Sequence, residues 1–419
     1  MKPAPARAIF AWCLYDWAGA AFNTIVTTFV FATYYVRAVA PDIATGTADW
    51  AWTQAAAGLV IALTAAPLGV LADRAGRRRA MLAGFTLVLV AAVALLWTIR
   101  PEHGFASRAL ILVGIATIAF EIAAVFYNAM LPGLAGPARM GRVSGLGWGA
   151  GYVGGLICLG ACLVLLINPH PPWFGLDPHQ AEPVRATAIF AAGWIALFSW
   201  PVLLLGQGDA GMAAGTALRV GLAELAAGFR RAFADPVLGR FLLARMLYTD
   251  GLTTLFAFGA IFAAGSFAMG TKAVLMLGIG LNVTAGIGAF GFAFIEDRIG
   301  ARRAVMIALL SLLGLGVAVL AVASVAWFVV LALALGVFIG PAQSASRSLM
   351  AHLAPAEGRN AHFGLFALSG RVTGFLGPAA LGAVTAVTGS QRAGMVVILI
   401  LLGSGAWLLG RLRLPAGLR

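Results

Sequence analysis

Charge is what this sequence has least of. Only 10% of its 419 residues are Asp, Glu, Lys or Arg, against roughly a quarter in soluble globular chains. With 61% of residues apolar and a mean hydropathy of +0.95, the chain has too little polar side chain to wet a water-facing globule. A soluble enzyme and a disordered chain are both excluded. Cysteine is nearly absent. Cys13, Cys158 and Cys162 each lie inside an apolar run, which excludes a disulfide-stapled secreted fold and reads as small packing residues. Lysine is rarer still, with Lys2 and Lys272 set against 26 arginines. Neither lysine stands in the Gly-Lys-Ser or Gly-Lys-Thr step that a phosphate loop requires, so direct ATP drive is unsupported. No His-Glu-x-x-His or Gly-x-Ser-x-Gly arrangement marks an intramembrane hydrolase. Neither enzyme activity, a cofactor nor a metal is implied.

What the chain has in abundance is apolar length. About 20 such residues cross a ~30 Å hydrocarbon core as a helix, and that ruler predicts twelve spans, near 8–36, 52–72, 79–99, 108–131, 143–167, 185–205, 239–265, 272–295, 303–322, 325–349, 361–387 and 392–411. Lys2 and Arg7 before the first run imitate a signal peptide, but Asp16 within it and its length mark a retained span. Lipid offers backbone groups no partner, so the spans are helical. The 53 glycines allow close helix approach. The expected fold is an all-α integral membrane protein, with twelve transmembrane helices in two pseudo-symmetric six-helix bundles. The bundles occupy 1–206 and 239–419, joined by a cytoplasmic loop over 207–238.

Arginine placement orients the chain. With the N-terminus inside, twenty Lys and Arg fall in cytoplasmic loops and tails, six fall outside, and Arg245 and Arg371 lie within spans. That bias puts both termini in the cytoplasm and accounts for the net charge of +13 without nucleic acid. An inner (plasma) membrane monomer bathed in lipid is expected.

The halves repeat each other. Asp73-Arg74-Ala75-Gly76-Arg77-Arg78 follows the second span, and Asp297-Arg298-Ile299-Gly300-Ala301-Arg302-Arg303 follows the eighth, 224 residues on. Leu14-Tyr15-Asp16 recurs as Leu247-Tyr248-Thr249-Asp250 in the seventh. Repeated six-span halves point to a transporter with a midplane site between them.

Gly69-Val70-Leu71-Ala72-Asp73-Arg74-Ala75-Gly76-Arg77-Arg78 resembles the signature loop of the major facilitator superfamily. Trp12-Cys13-Leu14-Tyr15-Asp16-Trp17, Phe126-Tyr127-Asn128 with Pro132, Arg142 to Gly149, Pro341 to Ser348 and Phe363 to Arg371 are similar to its "unknown major facilitator" branch. That branch is related to the autophagy-linked vacuolar amino-acid effluxers. The resemblance covers nearly the whole chain. It implies gating by Gly69, Asp73, Arg74, Gly76, Arg77, Arg78, Asp297 and Arg298, with the loop acid latching onto the start of the eleventh span. It also implies export of an amino acid or peptide-like solute. Where relatives often carry a glutamate before Phe-Gly-Leu, this chain has Ala361-His362. The glycine-rich stretch from Gly147 to Gly155 lacks the Gly-Pro step of the antiporter motif, and close helix packing explains it equally well.

Charges at mid-bilayer each cost about 2.5–3.5 kcal/mol on insertion scales and need a reason. Asp16, Glu121 and Asp250 are candidates for proton coupling or for meeting a substrate amine, with pairing to an arginine as the alternative: Glu121 with Arg371, Asp250 with Arg245. Arg371 suits a substrate carboxylate or phosphate. Asn23, Tyr127, Asn128, Trp148, Asn282 and Gln343 are polar or aromatic candidates for the cavity wall, or else helix-packing glue. Arg347, at a span end, is explained by snorkelling. The leading function is a secondary active transporter of a small organic solute by alternating access, exporting and proton-coupled. The alternatives are a lipid-like solute or a non-transporting membrane sensor or scaffold.

Overall fold

The computed structural model describes residues 5–41, 43–136, 139–169, 171–204, 235–269, 271–354, 359–370, 373–374 and 376–412. The linker between 205 and 234 lies outside them.

Long apolar runs free of strand-like alternation form long helices. In the first half these are α1 (Ala6–Ala21), α2 (Ile43–Arg74), α3 (Arg78–Leu95), α4 (Ala106–Ala129), α5 (Met140–Cys162) and α6 (Glu182–Leu203). The run of α1 continues to Val39 through two wider π-helical stretches, Phe22–Phe29 and Tyr35–Val39. In the second half come α7 (Pro236–Ser266), α8 (Thr271–Ile299), α9 (Ala301–Ala321), α10 (Val325–Leu353), α11 (Arg359–Ser369), α12 (Leu376–Thr388) and α13 (Gln391–Gly410). Among the described residues, nine helices are long and apolar enough to cross a membrane.

Two departures from the expected spans bear on the site. The eleventh span is two helices, α11 and α12, where a single helix over 361–387 is expected. Gly370, Gly374, Gly377 and Pro378 favour that break, since Pro378 has no N–H to continue the ladder. The eighth and tenth helices run on to Ile299 and Leu353, beyond the expected ends at 295 and 349, and so draw polar residues into the packed interior.

Within the first half α1 packs on α5 and α6, and α4 on α2 and α3. Within the second, α10 packs on α8 and α9, and α13 on α7 and α12. Two seams join the bundles: α5 against α8 and α10, and α11 against α2 and α4. The α5–α8 seam is made by absent side chains. A Cβ at Gly145 would lie 2.5 Å from Ala293 Cβ and 2.8 Å from the Ala289 carbonyl, and one at Gly149 2.7 Å from the Phe290 ring. Gly147, Gly151 and Gly154 turn instead towards α1. The glycine-rich stretch thus serves two packing faces of one helix. One buried apolar core runs through both halves, from Trp12 and Met140 to Leu349 and Met350, while a second, including Phe22 and Ile195, belongs to the first half alone.

Candidate functional site

Arg347 is the centre of the interface between the bundles, which corrects its reading as a snorkelling side chain. The helix carrying it continues six residues further, placing it ~9 Å from the helix end at 1.5 Å per residue. Its side chain is only 4% exposed. Nη1 donates to Asp16 Oδ2 at 2.8 Å, Nη2 to the Ser144 carbonyl at 2.5 Å and Nε to Ser144 Oγ at 3.0 Å. Ser144 Oγ in turn donates to the Ser344 carbonyl at 2.7 Å. Asn128 Oδ1 stands 3.4 Å from Nη1. The guanidinium carbon lies 4.7 Å from the Trp12 ring centroid, 5.6 Å from that of Trp148 and 5.9 Å from that of Tyr127. One cation from α10 is therefore held by α1, α4 and α5 of the other bundle. Asp16 keeps 23% of its side chain exposed, so the acid is the open edge of the cluster.

The walls are fixed independently of the arginine. Trp12 Nε1 donates to the Tyr127 carbonyl at 3.1 Å, and Tyr127 Oη donates to the Trp12 carbonyl at 3.0 Å. The two rings stack at 4.6 Å, and Tyr15 stacks on the other side of Tyr127 at 4.7 Å. A Cβ at Gly147 would lie 2.6 Å from Asp16 Oδ2 and 2.7 Å from Trp12, so glycine makes the room for this cluster.

Towards the helix ends, the seam carries a second ionic contact. Asp297 Oδ1 accepts the Arg142 backbone N–H at 2.9 Å, and Oδ2 stands 3.2 Å from Arg142 Nε. The acid thus sits at the N-terminus of α5, where the helix dipole favours an anion. The second copy of the signature loop therefore meets the start of the fifth span, whereas the loop acid is expected to meet the start of the eleventh. Gly76 and Gly300, at equivalent places in the two copies, adopt φ of 60° and 86°, backbone that L side chains rarely take. Gly69 is buried and Arg74, Arg77 and Arg298 are exposed; the side chain of Asp73 lies outside the described residues. Beside Asp297, Glu296 is 2% exposed and packed against Gly141, where a Cβ would lie 2.5 Å from its Cδ. Its Oε1 accepts from Ser348 Oγ of α10. Oε2 is buried with no hydrogen-bond partner among the described residues. Glu296 escapes sequence reading because it lies at the edge of a loop motif dominated by arginine.

The α7 charges cap the broken eleventh span. Arg245 Nη1 donates to the Phe366 carbonyl at 2.5 Å and to Ser369 Oγ at 2.7 Å, at the C-terminal end of α11. Asp250 Oδ2 accepts the Gly377 N–H at 3.0 Å, at the N-terminal end of α12. The cation meets the negative end of one helix dipole and the anion the positive end of the next. Of the remaining candidates, Tyr127, Asn128 and Trp148 converge on Asp16 and Arg347. Gln343 lies one turn before Arg347. Glu121 is half-buried, seven residues before Asn128 on α4. Asn282 is bound to its own helix through the Gly278 carbonyl, and Asn23 is exposed. Arg371 lies outside the described residues.

Long apolar helices packed as two halves around a charged, aromatic interface give the described residues the major facilitator fold. A solved relative in fold is FucP, a major facilitator superfamily transporter in the outward conformation, with a TM-score of 0.73 at 14% identity, covering 98% of this chain and 99% of that one. The family model "Vacuole effluxer Atg22 like" matches residues 50–419. The chain belongs to that family and is a transporter, not an enzyme. It is 25% identical over 400 residues to the "Uncharacterized MFS-type transporter YxiO" of Bacillus subtilis (strain 168), across 93% of this chain and 91% of that protein. It is 27% identical over 200 residues to "Autophagy-related protein 22" of Cryptococcus neoformans var. neoformans serotype D (strain B-3501A), covering 44% of this chain and 37% of that one.

Proposed function

We propose that this transporter moves a small zwitterionic solute, an amino acid or a short peptide, by alternating access, with Asp16 and Arg347 as its reciprocal charge sites. The observation that carries the reading is the inter-bundle ion pair at 2.8 Å. A solute carboxylate is a natural partner for the Arg347 guanidinium, which binds such groups bidentately. A solute ammonium would meet Asp16. Exchanging the internal partners for those of the solute removes the contact that holds α10 to α1, and the bundles are then free to rock. Residues 1–206 and 239–419 are the two moving bodies in this reading, and 207–238 the link.

Direction and coupling follow as parts of the same proposal. The effluxer name of the family supports export, and the arginine bias supports cytoplasmic termini; the membrane in this reading is the plasma membrane. Asp16 is the acid placed to trade Arg347 for a proton during the cycle, because Asp250 is committed to the end of α12. Liposomes containing the purified full chain and loaded with labelled amino acids test the reading. Saturable efflux that acidifies or alkalinises the lumen, lost in Asp16→Asn, is expected. Specific binding without flux in wild type would replace the transporter reading with a sensor. Flux restricted to lysolipids would replace the zwitterion with an amphipathic solute.

A further inference from the structure

We infer that the N-terminal bundle carries a preformed receptacle for an organic cation, a guanidinium or alkylammonium group, and that Arg347 fills it as a tethered surrogate of the solute. The inference rests on the reading above in taking this cluster as the solute site, and adds what the receptacle half of it recognises.

Among the described residues, every group that the guanidinium hydrogen-bonds or stacks on belongs to the first half, although the Glu296 carboxylate of the second half is near enough to interact with its charge. Trp12 and Asp16 come from α1, Tyr127 and Asn128 from α4, Ser144 and Trp148 from α5. The chemistry is that of a cation site: three π faces within 6 Å, a carboxylate and a backbone carbonyl. A contact serving only to bolt two bundles together needs the ion pair and no more. Here the Trp12–Tyr127 wall is locked by its two reciprocal backbone hydrogen bonds, so it stands whether or not Arg347 is present. Trp148 Nε1 is buried with no partner among the described residues, which leaves one donor for a polar atom that Arg347 does not supply. Asp16, at 23% exposure, is the side from which a cation would arrive. A solute cation that takes this place expels Arg347 towards the second half and turns it into the receptor for the carboxylate. Preorganised walls bind without the cost of ordering them.

The test removes the surrogate and supplies its head group. The full-length Arg347→Ala protein in detergent is titrated by calorimetry with methylguanidinium, and with methylurea as the neutral isostere. Methylguanidinium should bind about tenfold tighter than it binds wild type, methylurea should not bind, and Trp148→Leu added to Arg347→Ala should weaken the binding. Equal binding of the two probes, or equal binding of methylguanidinium by wild type and variant, overturns the proposal. Arg347→Lys, which leaves Asp16 an ionic partner, guards against a misfolded alanine variant. Its affinity for methylguanidinium should fall between the other two, and affinity no greater than wild type contradicts the proposal. Failure here with amino-acid flux intact in wild type removes only the receptacle. Binding here without flux removes the transport reading instead.

Discussion

Arg347 reaches Asp16 across the bundle interface at 2.8 Å, the first with 4% of its side chain exposed and the second with 23%. Each is the other's ionic partner, and neither lies in the half that holds the other. Removing one partner strands the other in the interior, which costs about 3–5 kcal/mol for a buried pair. Thermal unfolding in detergent should therefore show a large loss for Arg347→Ala, and a smaller loss for Arg347→Ala combined with Asp16→Ala than the single losses added together. Strictly additive losses would mean that the two residues are energetically independent.

Asp297→Ala removes both the acceptor for the Arg142 N–H and the anion at the start of α5. A cap of this kind is worth about 1 kcal/mol, enough to raise the open population about fivefold. Protection of the α5 N-terminal amides against hydrogen exchange should fall in this variant and remain in Arg298→Ala, since Arg298 is exposed.

Gly145→Ala places a methyl group 2.5 Å from Ala293 Cβ across the seam. Overpacking costs about 1–3 kcal/mol, borne only by the state in which α5 and α8 are in contact. Flux in liposomes should drop several-fold, while Gly160→Ala, where a Cβ meets nothing within 4 Å, should leave flux unchanged.

Asp250 distinguishes a cap from a proton carrier. Asn keeps an oxygen for the Gly377 N–H, so Asp250→Asn should retain stability and transport, while Asp250→Leu should lose about 1–3 kcal/mol by leaving that donor buried and unpaired. Loss of transport in Asp250→Asn, with stability preserved, would return the residue to a coupling role.

Much of the architecture was legible in the sequence, because apolar length is imposed by the bilayer itself. Asp297 was legible as a gating candidate, since it stands in a repeated motif, though without its partner at the start of α5. Arg347 was not. It lies two residues before the expected end of its span, where a long cationic side chain ordinarily reaches water. In the fold α10 continues to Leu353, which leaves Arg347 among the side chains of the other bundle. Glu296 was hidden for the same reason, one residue past the expected end of the eighth span, on a helix that runs to Ile299. The break between α11 and α12 had its glycines and Pro378 in view, but glycine is so common here that these four residues did not stand out. Pairing of Arg245 with Asp250 looked natural from their spacing. The free helix ends beside them are invisible without the fold.

The central claim is that the Asp16–Arg347 contact holds the bundles together on their arginine-rich side until a solute replaces it. Spin labels at positions 79 and 303, both exposed and one on each bundle, measure that directly in a chain with Cys13, Cys158 and Cys162 replaced. The distance should be short and narrowly distributed with Asp16 and Arg347 present, and should shift to longer values in Asp16→Asn and in Arg347→Gln. An unchanged distribution in both variants would contradict the account.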